Sequence, residues 1–156
     1  MARRLAIHSP HVAFGCRSLY IGTNSKGMNS MAKTKKQILI VDDEPAWIKV
    51  LSILLRRQGF NVREATSGKE ALKTLTGFRP DLILSDVRMP DMNGFDFLDE
   101  VRRTARYSKT PVVFFSGIDD YDAKKVAKDL GATDYLIKPF DEHDVLSVLS
   151  KHLARK

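Results

Sequence analysis

The sequence predicts an α/β protein built on a doubly wound, five-stranded parallel sheet, order 2-1-3-4-5, flanked by five helices. Three observations carry that prediction. Five short apolar runs are spaced along residues 37–153. Each is followed by a stretch whose apolar residues recur every three or four positions, the period of an amphipathic helix. The runs Ile38-Leu39-Ile40-Val41, Leu82-Ile83-Leu84 and Val112-Val113-Phe114-Phe115 are unbroken rather than alternating, as expected of strands buried on both faces. Strands alternating with helices imply a parallel sheet covered on both sides. Right-handed crossovers and a switch point in the winding then favour the order given.

Gln37 to Val41 forms the first strand and stops at Asp42-Asp43-Glu44-Pro45. Pro45 suits the first turn of a helix, because its fixed φ is already helical and its missing amide has no partner to lose there. Trp47, Ile48, Val50, Leu51, Leu54 and Leu55 then mark a helix closed by Gly59. Phe60 to Ala65 alternates and reads as a strand nearer the sheet edge, with Phe60, Val62 and Glu64 on one side. Ser67-Gly68 opens a helix through Ala71, Leu72 and Leu75 that ends around Gly77. The third strand, Leu82-Ile83-Leu84, runs into Ser85 and Asp86 and cannot pass Met89-Pro90, since proline offers no ladder donor. Asn93-Gly94 turns the chain into a helix with Phe95, Phe97, Leu98 and Val101. The fourth strand begins after Pro111 and ends at Ser116-Gly117, and Asp119 or Asp120 can cap the helix of Val126, Ala127 and Leu130. Thr133 to Ile137 is the fifth strand, ending at Lys138-Pro139, and Asp141 caps a last helix with Val145, Leu146, Val148 and Leu149. Trp47 and Phe60 are most simply core residues.

At 156 residues with 43% hydrophobic content, the chain has room for one domain with a real core and none for a second. The net charge of +7 invites a nucleic-acid reading, but the charge is unevenly placed. Residues 1–36 hold seven basic side chains (Arg3, Arg4, Arg17, Lys26, Lys33, Lys35 and Lys36) and no acid, while the remainder balances 19 basic against 19 acidic residues. Basicity therefore belongs to a leader, and direct nucleic-acid binding is not expected. Residues 1–36 show no sustained period and read as mostly disordered, with Met31 or Met28 a simpler translation start than a targeting peptide. The single cysteine, Cys16, excludes an intrachain disulfide and favours a reducing, cytoplasmic compartment. No apolar run nears the roughly 18 residues of a membrane span, so no membrane association is expected.

Chemistry concentrates where the strands end. In the order 2-1-3-4-5, strands one and three are neighbours, so Asp42, Asp43 and Asp86 meet at their carboxyl ends, beside Ser116 and Lys138 from strands four and five. Close carboxylates repel by on the order of 4 kcal/mol per pair at an effective dielectric near 20. A hard cation relieves this, and Mg²⁺ suits an oxygen site that lacks a full protein cage. Asp86 is then placed to attack phosphorus while Lys138 neutralises the phosphoryl oxygens and Ser116 offers them a hydroxyl.

At these residues the chain resembles a two-component response regulator receiver domain. The matching segments are Val41-Asp42-Asp43-Glu44-Pro45, Leu84-Ser85-Asp86-Val87-Arg88-Met89-Pro90-Asp91-Met92-Asn93-Gly94, Phe115-Ser116-Gly117 and Gly131-Ala132-Thr133-Asp134-Tyr135-Leu136-Ile137-Lys138-Pro139-Phe140. The resemblance implies a flavodoxin-like receiver fold over residues 37–153, standing alone with no output domain. It implies that Asp86 accepts a phosphoryl group from a histidine kinase or histidine phosphotransfer protein. Asp43, Asp86 and the backbone carbonyl of Arg88 would ligate Mg²⁺, and Asp42 would hold metal waters. Ser116 would be the switch hydroxyl, Tyr135 the aromatic that moves with it, and Lys138 the phosphate-binding cation, set by a cis Lys138-Pro139 bond. An unidentified downstream protein would dock on the face of helix four, strand five and helix five. Arg88 and Ile118 stand where they can alter phosphate lifetime.

Plainer readings exist for each part. Asp42-Asp43 alone is an ordinary acidic helix start, Ser116-Gly117 a turn and Lys138 a surface cation. Tyr135 can be a core aromatic, and Lys124, Lys125 and Lys128 a solvated face. His143 and His152 lack metal-ligand spacing. As alternatives in function, the chain would be a receiver-like interaction module indifferent to phosphorylation, or a Mg²⁺-dependent phosphohydrolase of the haloacid dehalogenase type. The latter typically carries a second acid two residues after its nucleophile, where this chain has Arg88.

Overall fold

The computed structural model describes residues 34–117 and 121–153. Residues 1–33 of the leader, Ile118 and the capping candidates Asp119 and Asp120 lie outside the described residues. The elements alternate as β1 (Gln37–Val41), α1 (Pro45–Arg57), β2 (Asn61–Ala65), α2 (Gly68–Leu75), β3 (Leu82–Ser85), α3 (Gly94–Arg103), β4 (Val112–Ser116), α4 (Tyr121–Asp129), β5 (Asp134–Ile137) and α5 (Glu142–Leu153). All strand pairs are parallel and the sheet order is β2-β1-β3-β4-β5, as the pattern predicts.

The unbroken runs are buried on both faces because alternate side chains enter different cores. Leu39, Val41, Ile83, Val112 and Phe114 pack against α2, α3 and α4 through Ala71, Leu75, Phe97, Leu98, Val101 and Ala127. Ile38, Ile40, Leu82, Leu84, Val113 and Phe115 pack against α1 and α5 through Ile48, Leu51, Leu55, Val145 and Leu149. Burying each such side chain stabilises the fold by roughly 1.5–3 kcal/mol against leaving it in water.

The helix starts follow local chemistry. Pro45 opens α1. Ser67 Oγ accepts from the Glu70 amide at 3.2 Å, Asn93 Oδ1 from the Asp96 amide at 2.9 Å and Asp141 Oδ1 from the Asp144 amide at 2.9 Å. Gly59, at φ +86°, ends α1 in the left-handed region where only glycine is unstrained. Gly94 serves a close approach: a Cβ there would run into the Asp86 carbonyl oxygen and the Phe114 ring. The start of α3 is thereby pressed onto the loop that carries Asp86.

The structure differs from the periodicity in a few places. Val50 in α1 is 57% exposed, and Val126 in α4 is 43% exposed. Apolar residues spread too far around these short helices for one sheet face to cover them all. Trp47 and Phe60 are only half-buried at the margin of the core. In β2, Val62 is buried but Glu64 is exposed and pairs with Arg56 of α1 at 2.7 Å. At an edge strand the outer half of the face is open to water. No helix among the described residues is long and apolar enough to cross a membrane.

Candidate functional site

Two backbone bonds beyond the regular ladders assemble the site. The Asp86 amide donates to the Val41 carbonyl at 2.8 Å, which sets Asp86 beside Asp42. The Lys138 amide donates to the Ser116 carbonyl at 2.8 Å, which sets the lysine beside the end of β4. From there Lys138 Nζ donates to Asp42 Oδ2 at 2.9 Å and to Asp86 Oδ1 at 3.0 Å. The remaining oxygens are also held: Asp42 Oδ1 accepts from the Glu44 amide at 2.7 Å, and Asp86 Oδ2 from the Arg88 amide at 2.5 Å. Asp42, Asp43, Asp86, Arg88, Ser116 and Lys138 all line one cavity of about 540 Å³ at the carboxyl ends of the strands.

Burial decides the electrostatics. Asp42 is 1% exposed and Asp86 5% exposed, whereas Asp43 stands in water at the rim. Desolvation pushes the Asp86 carboxyl above its ordinary pKa, and the Lys138 hydrogen bond opposes that shift without cancelling it. One ammonium thus serves two buried carboxylates, and Asp43 makes no ion pair among the described residues. Several carboxylates on one cavity, short of cationic partners, form the hard oxygen donor set that suits a small divalent cation such as Mg²⁺.

The hydroxyl and the aromatic are connected. Ser116 is 1% exposed and its hydroxyl hydrogen-bonds the Tyr135 side chain. The Tyr135 phenol is raised above its ordinary pKa mainly by burial, with the Asp86 charge acting in the same direction and the Ser116 bond against it. Tyr135 also packs edge-on against Phe114 at 6.2 Å, so it is both a core aromatic and a neighbour of the site. The Lys138-Pro139 peptide is cis.

Sequence reasoning missed the rings around Lys138. Its Nζ lies 4.8 Å from the Trp47 ring centroid and 4.9 Å from that of Phe115, while Phe140 packs on Trp47 at 5.1 Å. Trp47 lies in the first turn of α1, directly after the acidic loop, which is the one sequence signal that could have placed it near the site. These rings hold the ammonium by cation–π attraction and keep water from one side of it. Trp47→Ala is expected to destabilise the fold by about 3 kcal/mol, of which about 1 kcal/mol is the cation–π contact. Trp47→Phe should recover most of that loss. Urea denaturation followed by circular dichroism checks both; equal losses would mean that no ring is needed there.

The structure also separates the two histidines in a way their spacing did not reveal. His152 Nε2 lies 2.8 Å from Asp134 Oδ2. The ligand atoms of Asp141, His143 and Asp144 fall within 4.8 Å of one another, but all three residues are exposed.

Comparison with known proteins agrees with this architecture. Residues 38–150 match the model of the response regulator receiver domain. Protein PilH of Pseudomonas aeruginosa is 35% identical over 118 residues, which cover 76% of this chain and 98% of PilH. The DNA-binding dual master transcriptional regulator RpaA of Synechocystis is 34% identical over 119 residues, which cover 76% of this chain and 49% of RpaA. The chain spans about half the length of several such curated relatives. Among solved structures, chemotaxis protein CheY4 of Vibrio cholerae superposes with a TM-score of 0.74 at 35% identity, covering 76% of this chain and 99% of that one. The receiver domain of sensor histidine kinase PA1611 from P. aeruginosa, with a magnesium ion coordinated in its active-site cleft, gives a TM-score of 0.72 at 26% identity, covering 77% and 98%. With the sheet order, the acidic pocket and the family match in agreement, the chain belongs to the response regulator receiver domains of two-component phosphorelay systems.

Proposed function

We propose that Asp86 is the phosphoacceptor of this receiver, that its donor is the phosphohistidine of a sensor kinase or phosphotransfer protein, and that the modified protein signals by binding another protein. The observation that carries this reading is the placement of Asp86 in the cavity, with one oxygen on Lys138 at 3.0 Å and the other on the Arg88 amide at 2.5 Å. An Asp86 oxygen forms the new P–O bond while the donor's P–N bond breaks, and the leaving imidazole takes up a proton. Lys138 then transfers its attention from carboxylate to phosphoryl oxygen, neutralising charge that grows in the transition state. Its ring-lined position holds that ammonium ready, so little reorganisation accompanies transfer.

Asp43, Asp86 and the Arg88 carbonyl would hold Mg²⁺, with Asp42 on its waters; the PA1611 receiver has a magnesium ion coordinated in its active-site cleft. When bound, the ion adds positive charge beside the phosphoryl oxygens and quiets the repulsion among the carboxylates. The same cavity serves the return reaction, in which water attacks the acyl phosphate. The Ser116 hydroxyl, already bonded to Tyr135, is the group whose partner changes when a phosphoryl oxygen arrives. That exchange reaches the face of α4, β5 and α5, where Val126 and Leu130 are 43% and 37% exposed and can meet a protein partner. The functional unit for this chemistry is residues 37–153, acting in the cytoplasm, with the basic leader contributing nothing to the Asp86 cavity.

Incubation with Mg²⁺ and acetyl phosphate should add about 80 Da, one phosphoryl group, on the peptide that contains Asp86. EDTA should prevent the addition. A protein that gains no mass, or gains it elsewhere, would refute the assignment. Deleting residues 1–30 should leave both the labelling rate and the melting temperature unchanged within error. Loss of either in that truncation would give the leader a structural role.

A further inference from the structure

In a parallel sheet all the loops that precede strands open on one edge, opposite the edge where ligands usually bind. Here that second edge gathers basic side chains from four separate stretches of sequence. Lys35 and Lys36 precede β1, Arg79 precedes β3, Arg106 and Lys109 precede β4, and His152 lies in the last turn of α5; all six line one cavity of about 740 Å³. Among the described residues Asp81 is its single acidic wall, and Asp81 is engaged by Lys36 at 2.9 Å and by the Gln37 amide at 2.8 Å. His152 is held by Asp134. Lys35, Arg79, Arg106 and Lys109 form no ion pair among the described residues. Residues 1–34, ahead of Lys35, carry no acidic side chain.

We infer that this cavity binds a compact polyanion, a small molecule with several linked phosphates. Charge and shape point the same way. Lys35, Arg79, Arg106 and Lys109, from three loops, line one cavity without an ion pair among the described residues, and a multivalent anion can meet several of them at once. A single-charged ion would meet only part of the set. The volume falls within the range of roughly 300–1,000 Å³ typical of small-ligand sites, and a concave cavity does not suit the broad contact that a duplex needs. The two arginines present planar forks that match phosphate oxygens in pairs. The site lies at the opposite ends of the strands from Asp86, and it does not depend on the phosphoacceptor reading.

The chain, complete and without Mg²⁺, should bind sodium tripolyphosphate with one-to-one stoichiometry by isothermal titration calorimetry, whereas sulfate at equal ionic strength should compete poorly. ATP in a parallel titration separates two sources of the same chemistry: tighter binding than tripolyphosphate brings a nucleoside into the cavity, and equal binding assigns the phosphate chain alone. Replacing the exposed Arg79 and Arg106 together by glutamine (Arg79→Gln, Arg106→Gln) should weaken tripolyphosphate at least about tenfold. Acetyl phosphate labelling of Asp86 in that variant should stay at the unsubstituted rate, so failure of one assignment is distinguishable from failure of the other. Binding that survives the double substitution, that never saturates, or that is outdone by duplex DNA at equal phosphate concentration would overturn the inference.

Discussion

Asp86→Asn should abolish acetyl phosphate labelling and, at neutral pH, raise the stability of the folded protein by about 1 kcal/mol, or about 4 °C in Tm. The first effect follows from chemistry, since an amide oxygen is a poor nucleophile toward phosphorus and no other carboxylate in the cavity shares the position of Asp86. The second follows from burial. Asp86 sits 5% exposed, and desolvation raises its pKa despite the Lys138 hydrogen bond. A carboxyl whose folded pKa lies above its unfolded value binds its proton more tightly when folded. Its contribution to stability is therefore lost as pH rises from the unfolded carboxyl range, near about 3.9, through the folded pKa. At neutral pH the charged form is a net cost to folding, and asparagine removes it while keeping the shape and an acceptor for the Arg88 amide. The gain should be small near about pH 4 and full near neutrality, by thermal melts of both proteins across that range. A variant less stable than the parent at neutral pH would show that attraction to Lys138 outweighs the desolvation. A phosphoacceptor that destabilises its own fold is a common form of trade between activity and stability.

The legibility of the chain followed from where information is local. β1, β3 and β4 were readable because strands covered on both faces need unbroken apolar runs, and few other structures do. Asp42, Asp86, Ser116 and Lys138 were readable as one cluster because each lies next to the end of its strand, so topology alone brings them together. What escaped depended on side-chain reach. Periodicity cannot tell Leu51, buried, from Val50, 57% exposed, when apolar residues wrap most of α1. Trp47 looks like core in sequence, and only the path of the Lys138 side chain shows that its ring faces an ammonium. Arg79, Arg106 and Lys109 at the far edge of the sheet were hidden by an overall balance of charge in residues 37–156, and Lys35 and Lys36 were counted with the leader, because the charge of a segment says nothing about which loops share a cavity.

Lys138→Ala should slow phosphorylation by on the order of 10²–10³ and destabilise the fold by about 3 kcal/mol. Both effects have one origin, the sharing of a single ammonium between Asp42 at 2.9 Å and Asp86 at 3.0 Å. Removing it leaves two buried carboxylates facing each other with only backbone amides to oppose their charge. Removing a carboxylate relieves burial, but removing the cation exposes it, and the two single substitutions therefore move stability in opposite directions. Combined with Asp86→Asn, the loss caused by Lys138→Ala should shrink by about 1 kcal/mol or more, because one of the stranded charges is gone. Lys138→Arg should fold yet label slowly, since a planar guanidinium does not fit where Trp47 and Phe115 bracket a compact ammonium. Urea denaturation of the four proteins in the cycle, and labelling time courses with acetyl phosphate for those that keep Asp86, measure the two effects separately. Labelling of Lys138→Ala at the parental rate would remove the lysine from the chemistry and leave it a structural counter-ion.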